Sequence, residues 1–87
     1  MKKMVRIYSI PNCPYCIELK NILTEEGISF IDIDVMLPEN EQEYNVLHNI
    51  IKSDDVPVIK VGKQLLVPNV SFSSIRQAVD LTKKFLS

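Results

Sequence analysis

Apolar positions recur along this chain with two different periods, and the switches between those periods predict its elements. Met4-Val5-Arg6-Ile7-Tyr8 is apolar and β-branched apart from Arg6, and Pro11 bounds it. Such a run predicts a first strand placed centrally in a sheet. Beyond it the period lengthens. Cys16, Leu19, Ile22 and Leu23 share one helical face, while Glu18, Lys20, Glu25 and Glu26 occupy the other. Pro14 suits the first turn of this helix, where its missing N–H costs nothing, and Gly27 is a natural terminator. Alternation returns in Ser29–Val35, where Phe30, Asp32 and Asp34 interleave with Ile31, Ile33 and Val35. This predicts a half-buried second strand. A strand, a helix and a strand in close succession form a βαβ unit, with parallel strands and a right-handed crossover.

Pro38 opens a second helical segment, spanning about residues 39–52. Glu39, Glu41 and Glu43 crowd its first turns, where the helix dipole favours anions. Tyr44, Leu47, His48 and Ile51 lie on one face. Ser53-Asp54-Asp55 reads as a turn. Val58–Val61 and Gln64–Val67 read as strands, joined by Gly62-Lys63 in the two-residue loop of a type II′ hairpin. Pro68-Asn69 interrupts the pattern. A last helix is predicted from Ser71 or Phe72 to Phe85, burying Phe72, Ile75, Val79, Thr82 and Phe85. The order β-α-β-α-β-β-α predicts an α/β fold, a four-stranded mixed sheet with helices on both faces. With no repeat, low-complexity stretch or linker, residues 1–87 are expected to form one domain.

Composition narrows the classes of function. A hydrophobic fraction of 46% argues against disorder. Ten basic and eleven acidic side chains leave a formal charge of −1, a poor match for the basic face that nucleic acid requires. No apolar run approaches a membrane span. The run after Lys2 and Lys3 is too short for a signal-peptide core and contains Arg6. A cytoplasmic protein is therefore expected, without nucleic-acid or membrane partners and acting as a monomer. In a reducing compartment its two cysteines are expected to be catalytic or metal-binding rather than a structural staple.

Those cysteines stand in Asn12-Cys13-Pro14-Tyr15-Cys16, at the junction of the first strand and first helix. Cys13 is expected at the helix N-terminus, its sulfur accepting hydrogen bonds from the amides of Tyr15 and Cys16. Helix-terminus effects are worth about 0.3–1 kcal/mol, and up to roughly 2 when sheltered. Since about 1.4 kcal/mol is one pKa unit, the thiol is expected to fall by around one unit. Cys16 lies one turn deeper on the apolar face, so it is expected to be less exposed and less acidic. The asymmetry assigns Cys13 as the attacking thiolate and Cys16 as the thiol that resolves the mixed disulfide. Pro14 and Tyr15 set the stiffness of the ring between them. A zinc site needs four ligands, or three plus water, and His48 is the only histidine, on an apolar face. No metal site is therefore expected within one chain. A metal- or cluster-bridged dimer stays open. So does a non-catalytic binding module using the Val56-Pro57 edge and an apolar patch of Ile10, Tyr15 and Val67.

Asp55-Val56-Pro57-Val58 places a proline directly before a strand. Most such bonds are trans. A cis bond here is the functional expectation, because it leaves the backbone N–H and C=O of Val56 exposed to an extended thiol substrate.

Together these features resemble the glutaredoxin family of the thioredoxin fold. The resemblance covers nearly the whole chain. It rests on Ile7-Tyr8, on Cys13-Pro14-Tyr15-Cys16 between a strand and a helix, on Gly27, and on Val56-Pro57 before the hairpin. It implies a thiol–disulfide oxidoreductase with no bound cofactor and glutathione as redox co-substrate. Its partners would be disulfide-containing proteins, with Cys13 the nucleophile and Cys16 the resolving cysteine. It further implies that Tyr15 flanks glutathione, that the main chain of Val56 pairs with the glutathione cysteine, and that Pro57 is the cis proline. Three positions depart from the family. The usual lysine three residues before the first cysteine is Ile10. The usual Gly-Gly is absent from Leu66-Val67-Pro68-Asn69-Val70, and the usual acidic pair is Ser73-Ser74. These departures favour, as an alternative, an electron donor reduced by thioredoxin reductase without glutathione.

Overall fold

The computed structural model describes residues 3–87. The elements are β1 (Val5–Ser9), α1 (Pro14–Glu25), β2 (Ile31–Asp34), α2 (Glu41–Ile51), β3 (Val58–Val61), β4 (Gln64–Leu66) and α3 (Ile75–Leu86); a short 3₁₀ turn, Pro38–Asn40, precedes α2. The sheet has four strands in the order β2-β1-β3-β4. β1 and β2 are parallel, and β3 runs antiparallel to both β1 and β4. This is the thioredoxin-like arrangement.

Strand alternation decides which helix covers which face. Ile7 is registered with Ile59, and Val5 with Val61. These four point to one side, where Leu19 and Leu23 of α1 and Ile75, Ala78 and Val79 of α3 close over them. Tyr8 is registered with Val58 and points to the other side. There Ile33, Val67 and Leu47 of α2 complete a smaller cluster. Ala78 and Thr82 are fully buried in α3, and the Thr82 hydroxyl donates to the Ala78 carbonyl at 2.8 Å, so no polar atom there is left unpaired.

α1 ends in a Schellman motif. The Ile28 N–H bonds the Leu23 carbonyl at 2.9 Å and the Gly27 N–H bonds Thr24 at 3.1 Å, with Gly27 at φ +73°. In the β3–β4 hairpin only Gly62 of the two loop residues has positive φ, as a type II′ turn requires.

Several boundaries differ from the sequence expectation. β1 is displaced by one residue and includes Ser9. β2 is shorter than Ser29–Val35, and Ile31 remains 38% exposed because β2 is an edge strand with little of α2 above it. α2 begins at Glu41 and stops where Lys52 adopts φ 56°, and the Asp55 N–H then bonds Ser53 Oγ at 3.1 Å across the expected turn. α3 begins at Ile75, not at Ser71 or Phe72. Phe72 is buried from the loop before the helix, and Ser74 is the N-cap, its Oγ accepting from the Gln77 N–H at 3.1 Å.

Candidate active site

β1 delivers the chain to the cysteines through a tight bend. Asn12 sits at φ 62°, a left-handed conformation that a short polar side chain tolerates better than most. Cys13 follows in extended conformation as the N-cap of α1, with Pro14 in the first turn. Its Sγ accepts the Cys16 N–H at 3.2 Å. Of the two amides expected at this sulfur, it is that of Cys16 that makes the bond. Cys13 and Cys16 are disulfide-bonded, with their Cα atoms 5.2 Å apart. Cys16 has no exposed surface, whereas Cys13 retains 7%. Cys13 is therefore the one of the pair that retains contact with solvent.

The strand end is held by polar contacts. Buried Ser9 donates to Asp32 at 3.0 Å, and the Lys20 ammonium donates to the other Asp32 oxygen at 3.0 Å and to Ser9 at 3.5 Å. This ties β1, β2 and the second turn of α1 together. On the opposite face, Arg6 makes a two-pronged ion pair with Glu43 (2.9 and 3.2 Å to one carboxylate oxygen, 3.1 Å to the other), and the Tyr8 hydroxyl donates to Glu43 at 2.7 Å. The Tyr8 hydrogen bond, with the Arg6 contacts, holds the Glu43 carboxyl below its ordinary pKa, while burial pushes the Tyr8 phenol up.

The Val56–Pro57 bond is cis. Tyr15, Asp55, Val56 and Pro57 line one side of an open groove of about 320 Å³, and residues 68–75 supply the other. The structure thus brings Val56 and Pro57 together with Tyr15, which directly precedes Cys16 in the chain. Ile10 and Tyr15 are exposed, but Val67 is buried against Tyr8 and Val58 and belongs to no surface patch. That removes one member of the apolar patch expected from the sequence. Leu66 packs into the cluster under α1 and α3, and Val67, the next residue, turns to the α2 side of the sheet. His48 meets Asp54 at 2.9 Å and lies beside Tyr44 with ring centroids 6.0 Å apart. Among the described residues no three His, Cys, Asp or Glu side chains group as metal ligands. The sequence reading gave no role to Asp55, Ser9, Asp32 or Lys20. Asp55 carries one signal, its place directly before Val56-Pro57. The other three are joined only by the parallel pairing of β1 with β2.

A glutaredoxin family model matches residues 5–66. The chain belongs to the glutaredoxin family. It is 33% identical over 64 residues to an uncharacterized glutaredoxin-like 8.6 kDa protein in the rubredoxin operon of Clostridium pasteurianum, covering 74% of this chain and 83% of that protein. It is 37% identical over 57 residues to the N-acetyl-S-hydroxy-L-cysteine reductase of Bacillus subtilis, covering 66% of this chain and 59% of that enzyme. Among solved structures, a buckwheat glutaredoxin–glutathione complex superposes with a TM-score of 0.73 at 16% identity, covering 97% of this chain and 76% of that one. A glutaredoxin from Archaeoglobus fulgidus gives 0.64 at 25% identity, covering 79% and 78%. The family match stops at Leu66, so the wall of the groove formed by residues 68–75 lies beyond it in this glutaredoxin-family chain.

Proposed function

We propose that this chain is a dithiol thiol–disulfide oxidoreductase in which Cys13 attacks and Cys16 resolves. One observation carries the reading: Cys13 is the N-cap of α1 with its sulfur on the Cys16 amide, and it alone of the pair has accessible surface. In the reduced protein the same amide and the helix dipole favour the Cys13 thiolate. The thiolate attacks one sulfur of a substrate disulfide. A Cys13–substrate disulfide forms, and the other substrate sulfur leaves as a thiolate that takes up a proton. Cys16 then loses its proton and attacks Cys13 Sγ. The internal disulfide forms and the second substrate thiol departs. Two electrons pass from the dithiol to the substrate, and an external reductant restores them. Tyr15, Val56 and Pro57 hold the substrate, with the Val56 main chain pairing to it, and Pro14 sets the helix start. Disulfide-containing proteins are the proposed substrates.

Family membership supports glutathione as the co-substrate that returns the electrons. A second reading, reduction by thioredoxin reductase, is favoured by Ile10 standing where the family carries a lysine. Losing that contact removes a charge-assisted hydrogen bond of about 1.5–3 kcal/mol. The oxidised protein, incubated separately with glutathione plus its reductase and with thioredoxin reductase, will consume NADPH in the arm that supplies its reductant. Cys13→Ser is expected to abolish disulfide reduction, and Cys16→Ser to accumulate mixed disulfides visible by intact mass. Unimpaired reduction by Cys13→Ser would overturn the assignment and leave a binding module.

A further inference from the structure

We propose that Asp55 makes the groove select small disulfides carrying a positive charge and disfavour anionic ones, glutathione disulfide included. The inference rests on the oxidoreductase reading and extends it to the class of substrate. Among the described residues that line the groove, Asp55 is the only charged one. Its backbone N–H donates to Ser53 Oγ at 3.1 Å, and its carboxylate makes no ion pair among the described residues. Lys52 and Lys60, the cations nearest along the chain to Val56-Pro57, do not line the groove. Lys20 is held by Asp32, and Arg76, just past the groove wall, by Asp80 at 3.1 Å and Glu26 at 3.8 Å. Ile10 adds no charge. A groove of about 320 Å³, lined by Tyr15 two residues after Cys13, suits a small thiol.

One feature opposes this preference. The N-terminus of α3 also borders the groove and carries about half a positive charge. Its own side chains already take part of that potential. Ser74 Oγ accepts the Gln77 N–H at 3.1 Å, and Gln77 Oε1 accepts the Ser73 N–H at 2.8 Å. A full carboxylate charge at Asp55 outweighs the remaining fraction. Disulfides bearing an amine within a few bonds of sulfur are therefore the favoured class.

The test is a single turnover by the pre-reduced protein, which supplies both electrons itself. Three disulfides are compared: cystamine (cationic), bis(2-hydroxyethyl) disulfide (neutral) and glutathione disulfide (anionic). Formation of the internal Cys13–Cys16 bridge is read by mass after alkylating the remaining thiols. Each rate is divided by that of free dithiothreitol with the same disulfide, which removes intrinsic reactivity. The cationic-to-anionic ratio is expected to be about five- to tenfold at low salt and to shrink at high salt. In Asp55→Asn the same ratio should fall toward one, and in Asp55→Lys it should invert. A ratio near one in the unmodified protein overturns the proposal, as does a ratio that survives both substitutions. No bridge formation with the neutral disulfide would instead overturn the oxidoreductase reading beneath it, so the two failures are distinguishable.

Discussion

Two side chains show how single residues tune this molecule. Ile10 is partly exposed near the cysteines and packs in neither core cluster. Replacing it with lysine adds a cation without opening a cavity. In the reduced protein Ile10→Lys is expected to lower the Cys13 pKa, read as thiolate absorbance against pH. Glu43 works at a distance from the cysteines. Its folded pKa is lowered by Tyr8 and then Arg6, so its contribution to stability is complete above the ordinary carboxylate pKa of about 4.3. That contribution is lost as pH falls through the lower folded value. Glu43→Gln should therefore flatten the acid limb of a stability-versus-pH curve measured by urea unfolding, with the loss concentrated above pH 4. Because the pair is partly exposed, the effect is expected to be modest and salt-sensitive.

At the scale of elements, helix ends carry the testable content. Ser74 caps α3 through the Gln77 amide, so Ser74→Ala should cost about 1 kcal/mol in denaturant unfolding. Gly27 closes α1 at φ +73°, and a Cβ built there meets nothing within 4 Å. The expected cost of Gly27→Ala is therefore backbone strain alone, about 1 kcal/mol. The sequence announced Gly27, because a glycine after a helical stripe is a local signal. It did not announce Ser74. Phe72 is apolar at a spacing that extends the stripe of α3 backward, so periodicity placed the helix start too early. Phe72 is buried among β1, β3, α1 and α3 from the loop before the helix, and not by helix geometry.

For the whole molecule, stability comes from the cluster that joins β1, β3, α1 and α3. Leu19 is fully buried in it, one turn beyond Cys16. Leu19→Ala should cost about 2–5 kcal/mol, readable as a lowered urea midpoint in both redox states. The smaller cluster under α2 leaves Val46 and Ile50 exposed, and among the described residues no helix is long and apolar enough to cross a bilayer.

Local order in the chain was enough to determine the redox centre and the element sequence. Two cysteines three positions apart at a strand–helix junction must meet within one helical turn, and alternation or helical period follows from backbone geometry alone. Only the tertiary structure decided that β2 lies at the edge with Ile31 exposed, and that Val67 turns inward. It alone set Asp55 in the same groove as Tyr15, forty positions earlier in the chain. Each of these depends on contacts between segments far apart along the chain, where no local period carries information and packing chooses the neighbour.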